Sequence, residues 1–564
     1  MPPLRPEPLL LPLACLWVAA ADGVGIRPWV ATLTAAVLGA LAFRRLVRGV
    51  RLGAPFFWLA GLSGWVAAEG LAQPVPWERA AYLFACSLAV LASALLSGSP
   101  RGRQWLAAAA VASGLLAAVW LVVERLALGG RPGGPTLNPN LGAGVAAFAF
   151  ALLLASGRFP GRLLAAAVLL SGVLAAASRA ASLAVLVAAG VVAGRHRRLR
   201  RPLLVVALVA VGGLAWRLAT DRDPLRFERL RIWRTASQVA LAYAPWGTGP
   251  GGFPDAVLGF NFPRDGEFAR FARIPSLAEN DWLHLAATLG LPGVLFASGL
   301  AASLLRRACR KGGTDLPPLM ALLVMGAFHT YLLWPVGAML APAAGRFAGK
   351  TRLRLSRPLA LLWVWPWAVF LAVALAWPRG PLGDRPQALE GAIGRALRES
   401  PSREVLAQAL VQAEELVRIA PRASRSWELA GLVAYNLGLS TGDAALVRKA
   451  VEAFQSAQRR NPKGVWAPLG EATAWLALGE SAPARAAAAR AVQLEPNCVR
   501  CWLTLAQAQL FQGELAAARA SLLRGQTALR EARTTSFVSA YERELAAWDP
   551  ALASLLAQAL EVQP

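Results

Sequence analysis

The residues best suited to chemistry lie in a few short polar segments. Arg226, Arg229, Arg231 and Arg234 fall within nine residues of one helical stretch. A guanidinium offers planar, paired donors that match a phosphate, so this cluster reads either as a phosphate clamp or as a solvated, headgroup-facing stripe. Charge alone does not separate the two. Ser178-Arg179 sits between two apolar runs with almost no loop. An arginine held there is costly unless it snorkels or meets an anion, and the short connection favours the anion. Asn138-Pro139-Asn140 has the form of a helix N-cap. Glu279-Asn280-Asp281 opens another helix, where its carboxylates suit the positive end of the dipole.

Two further segments carry weaker signals. Asp221-Arg222-Asp223 spells a D-x-D that can hold a metal-nucleotide, but Asp223-Pro224 is better explained as an N-cap and first turn. The turn from Pro245 through Gly247, Gly249, Gly251 and Gly252 to Phe253 can present backbone amides to a phosphate, although a plain connection explains it as well. No metal ligand set is expected.

These segments need a scaffold, and the composition says which kind. The 564 residues carry 58 Lys and Arg against 32 Asp and Glu, and 56% are hydrophobic, which excludes an ordinary soluble protein. The imbalance is unevenly placed: residues 1–380 carry a net charge of +24, and the remainder +2. Basic clusters alternate with apolar runs, which is the pattern of membrane topology and excludes a nucleic-acid-binding face. Spans are expected at 8–22, 28–43, 54–73, 80–98, 104–123, 141–156, 163–177, 180–194, 202–219, 282–305, 316–330, 332–346 and 358–377. With the N-terminus inside, the inner segments collect 23 basic residues and only Glu7 and Asp315 as acids. A single long helix over 316–346 would reduce the count to twelve and place the cluster at 346–357 outside, against the positive-inside rule. The thirteen-span arrangement leaves the 220–281 loop, Arg179, Asn138 and Glu279 together on the outer side.

Beyond residue 387 the pattern changes to amphipathic helices that repeat. Pro421, Pro462 and Pro496 mark one position; Gly438, Gly479 and Gly513 mark another, both at intervals of 41 and 34. Trp427, Trp466 and Trp502 recur near the start of each first helix. Helix, Gly turn, helix, Pro at this period resembles the tetratricopeptide repeat, with a seven-residue insertion in the first unit. A concave groove for a protein partner is the functional reading of such a solenoid, and plain core packing of the Trp and Leu stripes is the structural one. Cys498 and Cys501 form a C-x-x-C without a redox context. A local disulfide is one reading, and two helix-packing cysteines is the favoured one.

Taken in order, Asn138-Pro139-Asn140, Ser178-Arg179, Arg231-Ile232-Trp233, the Gly-rich turn ending at Phe253, Glu279 to Leu283 and Leu289-Gly290-Leu291-Pro292-Gly293 resemble the O-antigen ligase and polymerase superfamily over about residues 8–350. The fold implied is all-α: a polytopic transmembrane bundle over 1–380 with its outer loop at 220–281, then a repeat solenoid over 387–564. The activity implied is transfer of a glycan from undecaprenyl diphosphate to a lipid, glycan or protein acceptor hydroxyl, at the outer face of the bacterial inner membrane and without a cofactor. Arg179 and Arg231 match the arginines that hold the diphosphate; Arg234, Asn138, Asn140 and Asn280 complete the expected binding set. Members of that group usually carry a His just before the Asn that matches Asn280. Here Glu279 stands in its place and becomes the candidate base, while His284 and the more distant His329 are alternatives. A chain that had lost catalysis and kept only the lipid-glycan site would instead be an assembly scaffold acting through its repeats.

The topology makes one direct expectation: a cysteine placed at Gly464 is labelled by an impermeant maleimide from the periplasmic side, and labelling from the cytoplasm alone refutes the arrangement.

Overall fold

In the computed structural model the described residues are 43 and 46–561, apart from 74–76, 130–131, 134–137, 156–160, 197, 199, 221–227, 265, 311–314, 332–340, 360–384, 400–401 and 538. The span expected at 8–22, most of those at 28–43, 332–346 and 358–377, and the D-x-D at 221–223 therefore lie outside them. The chain forms two compact units. The first holds residues up to 251 together with Leu277–Gly383; the second joins Gly252–Ser276 to Asp384–Pro564.

The first unit is a helical bundle closed by one small ribbon. Its helices are α1 (Ala54–Ala72), α2 (Trp77–Ser97), α3 (Pro100–Leu128), α4 (Pro139–Ala155), α5 (Arg162–Ala175), α6 (Arg179–Arg195), α7 (Arg200–Thr220), α8 (Glu228–Ala242), α10 (Asp281–Arg310) and α11 (Leu316–Phe328). Short α9 (Phe253–Ala256) belongs to the second unit. Helix α4 is apolar all round and buried from Gly142 to Leu153, so it forms the axis on which α3, α5, α6 and α11 pack. Small residues let these helices approach: a Cβ on Gly144 would meet Met325 and Tyr331, and one on Gly172 would meet Ala118.

Among the described residues α3 and α10 are long and apolar enough to cross a membrane, and α4, α5 and α11 are shorter apolar helices. The outer faces of α3, α5 and α7 expose Trp120, Val123, Leu163, Leu164, Leu204 and Leu208. Large apolar side chains exposed on three helices fit hydrocarbon as the solvent.

One end of the bundle gathers the basic segments. Strand β1 (Val50–Leu52) pairs antiparallel with β2 (Thr351–Leu353), Val50 opposite Leu353. Asp315 joins Arg103 at 3.0 Å and Arg346 at 2.7 Å. Arg307 donates to the carbonyls of Arg346 and Ala348. Among the described residues, 46–51, 103, 307, 315 and 346–355 thus share one end.

Helix α10 is broken where the Gly-rich turn meets it. Pro292 cannot donate to the Thr288 carbonyl, and Gly290 adopts φ 63°. The freed carbonyls of Ala287, Thr288 and Leu289 accept from Thr248 N (2.9 Å), Gly249 N (2.9 Å) and Trp65 Nε1 (2.9 Å). Two of the amides considered for a phosphate are therefore spent on this repair, and the turn is a structural connection. The contact is close: a Cβ on Gly247 would lie 2.5 Å from the Thr288 carbonyl oxygen, and one on Gly290 would lie 2.0 Å from that of Pro245.

The second unit is a helical solenoid. It comprises α12 (Arg385–Arg398), α13 (Arg403–Ile419), α14 (Ser424–Thr441), α15 (Ala444–Arg460), α16 (Trp466–Ala477), α17 (Ser481–Leu494), α18 (Val499–Phe511), α19 (Leu515–Thr534), α20 (Ala540–Leu545) and α21 (Pro550–Ala559). The left-handed turn glycines are Gly442 (φ 72°), Gly479 (φ 78°) and Gly513 (φ 77°). Gly438 does not turn the chain. Helix α14 runs past it, and Gly438 instead lets Val447 of α15 approach. Trp427 and Trp502 each donate to the carbonyl of the proline six residues earlier, whereas Trp466 packs edge-on against Tyr541. Cys498 and Cys501, both fully buried, are joined as a disulfide, so the helix-packing reading gives way to the local bridge.

Gly290→Ala is expected to destabilise the protein by more than about 2 kcal/mol, since it adds left-handed strain to a backbone collision. A lowered midpoint of thermal unfolding in detergent checks this; an unchanged midpoint refutes the account of the break.

Candidate active site

The site is assembled at the open end of α11. The last carbonyls of a helix lack partners and carry partial negative charge. Two of them are taken by side chains from elsewhere: Asn280 Nδ2 donates to the Ala327 carbonyl at 2.8 Å, and Arg229 Nη1 to that of Phe328 at 3.0 Å. Asn280 also caps α10, its Oδ1 accepting from Leu283 N at 3.0 Å. One amide therefore ties the start of α10 to the end of α11, and the next residue after α11 is His329.

Glu279 is placed by the same junction. It adopts φ 52°, a left-handed conformation that is costly for a residue with a side chain. Its carbonyl accepts from Trp233 Nε1 at 3.2 Å, while its carboxylate Oε2 lies 2.5 Å from His329 Nδ1 and 3.8 Å from Arg229 Nη2. The His329 side chain is only 2% exposed and that of Glu279 27%. The imidazole thus stands behind the carboxylate, which faces outward. Burial pushes the Glu279 carboxyl up, but the contact and charge of His329, together with Arg229, outweigh it and hold the group below its ordinary range.

Helix α8 decides which arginine reaches this carboxylate. Its inward face carries Arg229, Trp233, Thr235, Ala236 and Val239; Arg231 and Arg234 are exposed. Arg231 lies about 200° around the helix from Arg229, on the opposite face. Burial draws the Arg229 guanidinium below its ordinary value; Glu279 opposes this, and nearby Arg179 adds to it. Two guanidiniums and one carboxylate therefore share the site.

Arg179 comes from the N-terminus of α6, where Ser178 caps the helix by accepting from Ala181 N at 3.5 Å. Asn138 acts as the cap of α4, its Oδ1 accepting from Asn140 N at 3.0 Å, and Asn140 lies half-buried in the first turn. His284 makes a local contact, its Nδ1 accepting from Ala278 N at 3.4 Å. Arg226 lies outside the described residues. The structure thus brings Arg179, Arg229, Glu279, Asn280 and His329 together, and places Arg231 and Arg234 on solvent. The signal for Arg229 was the i, i+4 spacing to Trp233, which sets both on one face.

Beside Asp281 an apolar cavity of about 240 Å³ runs between α1, α2, α10 and α11, lined by Leu59, Leu62, Val66, Leu285, Leu304 and Leu322 among others.

Residues 139–298 match the family described as O-antigen ligase, a stretch that contains Arg179, Arg229, Glu279 and Asn280 but ends before His329. Residues 139–298 are thus similar to an O-antigen ligase domain, and the helices beyond residue 387 form repeats of tetratricopeptide-like geometry. No curated protein matches it. Similar solved structures include a thermophilic TPR protein of Thermus thermophilus (22% identity, 36% of this chain and 95% of that one, TM-score 0.26). MamA from Desulfovibrio magneticus (16%, 32% and 96%, 0.23) and yeast Tom70 (12%, 81% and 91%, 0.19) are also similar. The repeats stand on their own geometry.

Proposed function

We propose that the protein transfers a glycan from a polyprenyl diphosphate, undecaprenyl diphosphate in a bacterium, to an acceptor hydroxyl at the outer face of the inner membrane. The observation that carries this is the meeting of two guanidiniums with a partly exposed carboxylate. Arg179 and Arg229 repel each other and gain a shared partner when a diphosphate binds. As the anomeric C–O bond breaks, its electron pair leaves on the diphosphate, where both guanidiniums stabilise the growing charge. Glu279 takes the proton of the acceptor hydroxyl as that oxygen bonds to the anomeric carbon. His329 is a positioning residue: it holds the carboxylate in its left-handed perch and keeps it ionised. The buried disulfide in the repeats fits an oxidising compartment, and the repeats share a core with the loop expected outside, so both lie on the periplasmic side in this reading.

Transfer in proteoliposomes from an undecaprenyl-diphosphate oligosaccharide tests the assignment. Arg229→Ala is expected to lose at least about 100-fold in kcat/KM, Glu279→Gln a similar factor, and Arg231→Ala little. Loss at Arg231 with Arg229 silent would overturn the clamp. Donor binding without transfer by the wild type would replace the enzyme with a scaffold.

The pH profile separates the two members of the pair. A base must be ionised, so the rate falls as pH drops through the Glu279 pKa, which lies below the ordinary carboxylate range in the wild type. His329→Gln removes a lowering influence and moves this acid limb to higher pH. An unmoved limb in that variant refutes the positioning role.

A further inference from the structure

The second unit contains a binding site that is already filled. Glu495 closes α17 and is completely buried. At the corresponding place before the repeat proline, the other units have Ala420 and Asn461. A carboxylate at a helix C-terminus opposes the dipole, so helix formation does not explain this residue. Its partners do. Oε2 accepts from Arg270 N at 2.8 Å, and Oε1 accepts from Phe271 N at 2.9 Å and from the Tyr541 hydroxyl at 3.3 Å. Two residues on, Asn497 Nδ2 donates to the Phe268 carbonyl at 2.9 Å.

The apolar contacts have the same destination. Phe268 meets Phe537 edge-on with ring centroids 5.2 Å apart. Phe268 and Ala269 belong to one core with Val465, Leu469, Ala488 and Leu505 of the repeats. The loop is also folded to present this edge, with Arg264 N donating to the Arg270 carbonyl at 2.9 Å and Arg264 Nη1 to that of Arg273 at 2.8 Å.

We propose that the ligand of this repeat surface is the outer loop of its own chain: Glu495, Asn497, Phe537 and Tyr541 form a receptor for residues 268–271, and this docking holds the loop that leads into the active site. The carboxylate reads main-chain N–H groups, and Phe268 supplies the anchor. Chain continuity carries the effect onward, because the docked segment ends at Ser276, three residues before Glu279. The docking stands without any assumption about activity; only its consequence for transfer rests on the function proposed above.

A photoreactive p-benzoylphenylalanine at position 537 tests the contact directly in the full-length membrane protein, because it keeps an aromatic ring there and leaves Phe268 in place. It is expected to cross-link within one chain to the peptide that contains residues 268–271. Links only between separate chains, or none, overturn the proposal. In the native sequence, trypsin is expected to cut at Arg270 and Arg273 at least tenfold faster in Glu495→Lys than in wild type. Phe268→Ala serves as the second variant, because it leaves the repeats intact if Glu495→Lys disturbs their folding. Equal cleavage rates in wild type and Phe268→Ala refute the docking. Transfer by the same variants is expected to fall at least tenfold with donor affinity unchanged; unaltered transfer refutes the link to the active site. A wild type that transfers nothing overturns the function while leaving cross-linking and proteolysis fully readable.

Discussion

The site depends on a helix that ends too early. Helix α11 stops at Phe328, and its last carbonyls lack partners within the helix. Asn280 and Arg229 supply them, and in doing so they fix the start of α10 and the register of α8. His329 follows at once and is driven inward. A requirement of backbone hydrogen bonding therefore brings a carboxylate, an imidazole and a guanidinium from three distant segments into contact. The break in α10 obeys the same rule, since Pro292 and Gly290 release carbonyls that only the 245–249 turn and Trp65 satisfy. Bent backbone in the bundle is accepted where a specific partner is waiting.

Helical periods and charge asymmetry are enough to read the architecture: the bundle, the clustering of basic segments at one end and the repeat solenoid all follow from patterns that extend over many residues. Single positions are harder. The four arginines of α8 are visible as a cluster, yet their motif points to Arg231, while the inward face belongs to Arg229 and Trp233. Their four-residue spacing carries that information. Gly438 resembles a turn in the sequence because it sits beside a leucine like its counterpart Gly479; the longer first helix moves the turn to Gly442.

Contacts between distant segments leave less trace in the sequence. His329 has no local context linking it to Glu279, because their meeting follows from how two helix ends pack. Glu495 does leave a trace. It is the acidic member of a position filled by Ala and Asn in the other repeats, and a buried acid at a helix C-terminus calls for donors from elsewhere. That demand is legible; the identity of the donors, a loop more than two hundred residues upstream, is not.

The neighbours of Glu279 hold its carboxylate as the ion, and the geometry decides which of them does so most. A carboxylate alone in that field pairs with the nearest guanidinium and becomes a poor proton acceptor. Here Arg229 stays 3.8 Å away because its other face is held by the Phe328 carbonyl, and the closest neighbour of the carboxylate is His329 instead. His329 lowers the carboxyl more than Arg229 does, so the transfer proposed above would rely on where this carboxylate stands, at the exposed end of the pair, and not on raised basicity.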